Sequence, residues 1–271
     1  MRIKEFYEKQ NDVFLNHYLI AAGTGDEEAI HQMRVALKKI FALCSFLRSC
    51  KLVDKPQLGY LKKARKLFRL AGNLRDNQIQ LQILKEYEPQ FSLPDYESQI
   101  TNQIEEGINC WTKKACSFSL TEYVKFKVIL SHIINQIPDE HVRTSAKDFI
   151  LNQIHFIEDL LLHENWKEKL HKVRIHLKQM HRIFQLYRPT PILIPTEQIK
   201  KVELQLGRWH DHLIVLENIE QFSATNSKNY SLAKNIISSE LQHLASPLRK
   251  QLLLEFTYIK EDIILPPLSE M

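Results

Sequence analysis

His31-Gln32-Met33-Arg34-Val35-Ala36-Leu37-Lys38-Lys39 decides how this chain is read, because its pattern returns at His171-Lys172-Val173-Arg174-Ile175-His176-Leu177-Lys178. In each copy an Arg follows the His by three residues and a Lys follows it by seven. At about 100° per residue, those offsets bring the three side chains onto one face of a helix. Apolar residues are interleaved: Met33, Leu37, Ile40 and Phe41 in the first copy, Val173, Leu177, Met180 and Phe184 in the second. They are assigned to the opposite, buried face. Arg182 carries the second stripe one turn further, where the first copy has Ala42.

Outward from these helices the pattern stays helical. Residues 2–22 form a first helix that ends at Gly23-Thr24-Gly25, and Asp26 is placed to cap the His31 helix with Glu27 and Glu28 in its first turn. Asp54-Lys55-Pro56 opens a third helix to about residue 71, with Lys62, Arg65, Lys66 and Arg69 grouped on one face. Gly72 is expected to break it, and Asp76 to cap a fourth helix ending near Pro89. A fifth covers 95–116, and Ser119-Leu120-Thr121-Glu122 has the form of a capping box for a helix that stops at Pro138.

The second half repeats the plan. A helix over 139–163 precedes the His171 helix, which ends before Pro189, and Pro191 and Pro195 punctuate a loop. Thr196 caps a short helix to Leu206, and helices over 226–246 and 247–263 close the chain. Gly207-Arg208-Trp209-His210-Asp211 is the counterpart of Gly72-Asn73-Leu74-Arg75-Asp76. His171 lies 140 residues after His31, and Gly207 lies 135 after Gly72. On that alignment Lys200 and Lys201 match Arg65 and Lys66. No segment alternates long enough to be a strand. The expected fold is all-α: two helical bundles from an internal duplication, about 1–137 and 138–271, related by a pseudo-two-fold axis.

Net charge is +5, but its placement is more informative. Between His31 and Asp76 there are 12 Lys/Arg against two Asp/Glu; between Lys167 and Asp211, 10 against four. The rest of the chain is acidic. Such segregation builds a local field that concentrates polyanions. The four cysteines have no CxxC spacing, which fits reduced thiols, and the N-terminus lacks a signal-like apolar core. With no apolar run of spanning length, a cytoplasmic, non-membrane protein is expected.

A cationic stripe is usually just a solvated face. Two stripes with His at the same place, each followed by a Gly-x-x-(Arg/His)-Asp segment, are poorly explained by solubility alone. Arg offers forked donors that fit phosphate oxygens, Lys a mobile point charge, and His a further donor. The remaining histidines show no HExxH or paired ligand set, so no metal is expected. His210-Asp211 raises the alternative of a helical metal phosphohydrolase. Arg75-Asp76 at the matching position argues against it, since Arg does not ligate metals, and no phosphate-binding glycine loop or acidic metal cluster accompanies it. Catalytic residues and cofactors are therefore expected to be absent. An RNA or single-stranded nucleic-acid-binding module is the other alternative, for which Tyr60 and Trp209 are the available stacking aromatics.

These residues resemble the CHAD family, the conserved-histidine α-helical domain, over nearly the whole of 1–271. The carriers are His31/Arg34/Lys38/Lys39, His171/Arg174/Lys178 and the segments 72–76 and 207–211. The resemblance implies one such domain: a two-bundle fold whose basic groove binds inorganic polyphosphate, with association with polyphosphate granules and their proteins. The expected binding residues are His31, Arg34, Lys38, Lys39, Lys62, Arg65, Lys66, Arg69, Arg75, His171, Arg174, Lys178, Arg182, Lys200, Lys201, Arg208 and His210. Two departures stand out: the family often has an Arg ten residues after the His, where this chain has Phe41 and His181, and Trp209-His210 stands where Arg is common.

Overall fold

A computed structural model describes residues 3–54, 59–186, 196–222 and 228–264. Among these the fold is all-α, with ten helices: α1 (Ile3–Thr24), α2 (Glu27–Ser49), α3 (Leu61–Glu86), α4 (Pro94–Ala115), α5 (Leu120–Asn135), α6 (Asp139–Leu162), α7 (Leu170–Leu186), α8 (Thr196–Phe222), α9 (Lys228–Ala245) and α10 (Leu248–Ile264). A 3₁₀ turn, Trp166–Lys169, leads into α7. Pro56, Pro189, Pro191 and Pro195, read as helix punctuation, lie outside the described residues.

The chain forms two compact units that are not successive stretches: Met1–Ile79 with Ser98–Ala146, and Gln80–Glu97 with Lys147–Met271. In the first unit, α1 and α2 meet through Gly25, whose φ of +69° suits glycine. A Cβ there would stand 2.8 Å from Ile108 Cγ2. Asp26 then caps α2, accepting from the Ala29 N–H at 2.7 Å. The inner face of α2 is apolar without interruption: Ile30, Met33, Leu37, Ile40, Leu43 and Leu47 are fully buried. Trp111 Nε1 donates to the Ala21 carbonyl (2.6 Å) and Tyr18 Oη to the Ala115 carbonyl (2.7 Å), tying α4 to α1 while satisfying buried polar atoms. Ser119 caps α5 as its sequence announces, accepting from the Glu122 N–H at 3.3 Å.

In the second unit the inner faces of α7 and α8 close on α6, α9 and α10. Val173, Leu177, Met180, Leu206, Val215 and Ile219 are buried there, with Ile154, Ile157, Leu252 and Phe256. Gln80 Oε1 accepts from Tyr96 Oη (3.0 Å) and Asn218 Nδ2 (2.8 Å), which fixes this buried polar group. No described helix is long and apolar enough to cross a membrane.

Three expectations are corrected. Gly72 does not break a helix, and Asp76 does not cap one: both lie inside α3, which runs unbroken from Leu61 to Glu86. Gly207 and Asp211 likewise lie inside α8. A helix-interior glycine costs only about 1 kcal/mol relative to alanine. Burial of Leu67, Ala71 and Leu74 along α3, and of Leu206, Trp209 and Val215 along α8, outweighs that cost. Phe41, assigned to the buried face, is the third correction. It is half-exposed on the cationic side, because an offset of ten residues is about 280° and returns to the face of His31 and Arg34.

Candidate functional site

In the first unit the organising side chain is Arg34. It is 8% exposed, and its Nη1 donates to the Phe68 carbonyl of α3 at 2.6 Å. Gly72 makes this possible, since a Cβ there would lie 2.9 Å from Nη1. The guanidinium carbon stands 4.3 Å from the centre of the Phe68 ring, and Lys38 Nζ lies 5.8 Å from the same ring. Phe68 meets Phe41 edge-on, at 5.7 Å and 79°, and the Arg65 guanidinium lies 5.7 Å over Phe41. Two aromatic rings thus carry three cations between α2 and α3, and the ring faces attract those cations without neutralising them.

Burial lowers the Arg34 pKa most, with Asp76 opposing the shift and Arg75 adding to it. The His31 pKa is also lowered: burial comes first, then Arg75, with Lys38 and Arg34 adding and Glu28 opposing. His31, Arg34, Lys38 and Arg75 therefore share one electrostatic neighbourhood. Arg75 is ion-paired with Glu27 and donates to Gln78 Oε1 at 3.3 Å. Lys39 is half-buried on α2, and Lys62 and Arg69 are exposed on α3. Lys66 is turned elsewhere, lining a hollow with Lys63, Leu67, Leu70, Lys114 and Phe118.

The second unit builds its cluster from α7 and α8. His171 is exposed, and its ring stands 4.7 Å from that of His210, with the two Nδ1 atoms 3.4 Å apart. Only one of the two facing nitrogens can carry a proton in that contact. Further along α7, burial drives the Lys178 pKa down to about 8; Arg174 and Arg182 push the same way, against Glu203 and Asp211. Arg182 is lowered chiefly by burial, with Glu203 opposing and Arg174 adding. Glu203 is ion-paired with His181. Burial on its own would raise the Glu203 pKa, yet it is lowered, through the hydrogen bond and charge of His181, then Lys178 and Arg182.

Arg208 does not join this group. It lies two residues before His210, about 200° round the helix, and sits 3.7 Å from Glu240 and 3.9 Å from Glu86. Lys200 and Lys201 are both exposed. Lys200 shares the face of Glu203, three residues on, whereas Lys201 is turned about 100° away.

Phe68, Glu203, Phe41 and His181 belong to these clusters and were not expected there. The signal for the last two was the offset of ten from each His. Phe68 and Glu203 each precede a glycine by four residues, one helical turn.

Among the described residues no group of three or more His, Cys, Asp or Glu side chains is arranged to hold a metal ion. Tyr60 donates to the Ser119 carbonyl at 2.7 Å and packs against Phe118, Tyr123 and Phe126, while Trp209 is 8% exposed. Neither is presented as a stacking surface for bases.

Residues 8–109 match the CHAD domain family. No curated protein matches the chain. Among solved structures, the fold is similar to the crystal structure of the CHAD domain from the plant Ricinus communis, with a TM-score of 0.69 at 12% identity, over 93% of this chain and 92% of that one. The CHAD match thus covers residues 8–109, and the likeness to that solved structure shows a shared fold over nearly the whole chain.

Proposed function

We propose that this chain binds inorganic polyphosphate through its two cationic clusters. The binding is taken to be non-catalytic, in keeping with the CHAD match over residues 8–109. The observation that carries the reading is the α2–α3 face, where Arg34, Lys38 and Arg65 gather around Phe41 and Phe68, with His31 and Arg75 in the same electrostatic neighbourhood. Rings and a backbone carbonyl stand against Arg34, Lys38 and Arg65, with Glu27, Glu28 and Asp76 as nearby carboxylates. Phosphate oxygens relieve the mutual repulsion and take up the remaining Arg and Lys donors. In the second unit phosphates are engaged by Arg174, Lys178, Arg182, His171 and His210. Lys39, Lys62, Arg69 and Lys200 supply further cations, with Lys66, Lys201 and Arg208 more peripheral. Association with polyphosphate granules follows from this binding.

In this reading the two halves descend from one five-helix unit, α1–α5 and α6–α10. The correspondence of side chains supports it. The Phe41–Phe68 contact of one half has its counterpart in the His181–Glu203 pair of the other, at offsets of 140 and 135 residues.

The nucleic-acid alternative loses support because Tyr60 and Trp209 are engaged in packing. A competition experiment separates the two. With labelled single-stranded RNA at the protein, polyphosphate is expected to displace it at a much lower phosphate-equivalent concentration than unlabelled RNA does. RNA displacing bound polyphosphate more effectively would reverse the assignment.

A further inference from the structure

At matching positions of α3 and α8 the two clusters carry different groups. Where α3 places Phe68 beneath Arg34 and Lys38, α8 places Glu203 among Lys178, His181 and Arg182. An aromatic face steadies a guanidinium and leaves its charge available to a ligand. A carboxylate steadies it by cancelling that charge. The Glu203 side chain is 21% exposed and that of His181 9%. This carboxylate is therefore built into the helix packing and is not a mobile surface group. It is held ionised: burial favours its neutral form, and the surrounding cations overcome that preference. A phosphate arriving at α7 competes with an anion tethered within the same cluster, whose effective concentration is fixed by the fold.

We propose that Glu203 is a resident counter-anion that takes up part of the second cluster's capacity for phosphate. This rests on the polyphosphate reading above. It also explains how Lys178 and Arg182 stay close together and partly buried when no ligand is present: Glu203 compensates them until phosphate does.

The test uses the full chain and polyphosphate of fixed length, titrated calorimetrically at several salt concentrations. Glu203→Gln removes the charge and keeps the shape. It is expected to bind about three- to ten-fold more tightly at low salt, with the log K against log salt slope steeper by about one, as for one more phosphate contact. In the first unit, Phe68→Glu is expected to weaken binding relative to Phe68→Gln by a similar factor, because it installs the same counter-anion. Wild-type protein that binds, paired with a Glu203→Gln variant of equal or lower affinity, would overturn the role given to Glu203. Wild-type protein that does not bind polyphosphate would instead overturn the underlying reading. Should Glu203→Gln lose its helical circular dichroism, the Phe68 pair decides, and equal affinities there would sink the proposal.

Discussion

Arg34 shows how a buried cation is made useful. Its guanidinium is nearly removed from water, yet the partners seen directly against it are the Phe68 carbonyl and the Phe68 ring, neither of which carries a formal charge. A cation over a desolvated ring gains about 1–2 kcal/mol, and a hydrogen bond to a charged donor adds a similar amount. The arrangement depends on Gly72 having no side chain. In Gly72→Ala the new methyl meets the tip of Arg34, which swings away. Alanine also improves helix propensity by about 1 kcal/mol. The variant is therefore expected to lose about 1–3 kcal/mol of stability and to bind polyphosphate more weakly. Gly207→Ala meets nothing within 4 Å, so it is expected to gain about 1 kcal/mol of stability and leave binding unchanged. Denaturant melts and binding isotherms on both variants check the contrast. A Gly72→Ala protein with undiminished affinity would mean that Arg34 does not need its present seat.

At the scale of the element, α7 carries its cations at a cost to folding. Burial lowers the Lys178 pKa to about 8 from its ordinary 10.5. Between those values the unfolded chain binds the proton and the folded chain does not. The contribution of Lys178 to stability therefore rises as pH climbs from about 8 towards 10.5, and the charged form is penalised below that window. The proposed phosphate binding is expected to move the opposite way, because α7 loses a positive charge over the same step. Lys178→Met is expected to be more stable than wild type at pH 7, with the difference narrowing by pH 9.5, and to bind polyphosphate more weakly at pH 7. Chemical denaturation at both pH values measures the first effect and calorimetry the second. A difference in stability that does not change with pH would place the Lys178 ammonium in ordinary solvent.

Sequence patterning showed most of these helices and missed how two of them continue. Asp26 and Ser119 were legible as caps because their side chains act within three residues of their own position. Gly72 and Gly207 were misread for the complementary reason. A glycine signals a helix end on local propensity alone, whereas here burial of the neighbouring Leu, Ala, Trp and Val residues carries α3 and α8 straight through. Once the helix is continuous, Asp76 and Asp211 become carboxylates beside the cations, felt at Arg34 and Lys178, and not caps. The His-x-x-Arg-x-x-x-Lys stripes were visible because their spacing is helical. Phe68 and Glu203 were not, since each acts on a cation of another helix and nothing in the local pattern of α3 or α8 announces that.

For the whole molecule, the central fact is where the charge collects. A net charge of +5 conceals two strongly basic regions within an otherwise acidic chain. Such a distribution attracts polyanions to defined faces while lowering non-specific attraction elsewhere. Binding by several Lys and Arg contacts releases counterions, so affinity is expected to fall on the order of 10³-fold between 50 and 200 mM salt. The most direct measurement is a salt-dependent polyphosphate titration of the wild-type chain beside Arg34→Glu combined with Arg174→Glu, with helical content checked by circular dichroism. The account predicts tight, salt-sensitive binding by the wild type, and for the folded double variant a loss of about a hundred-fold or more at low salt, with a shallower salt slope. A folded double variant that binds polyphosphate at low salt as tightly as the wild type would contradict it.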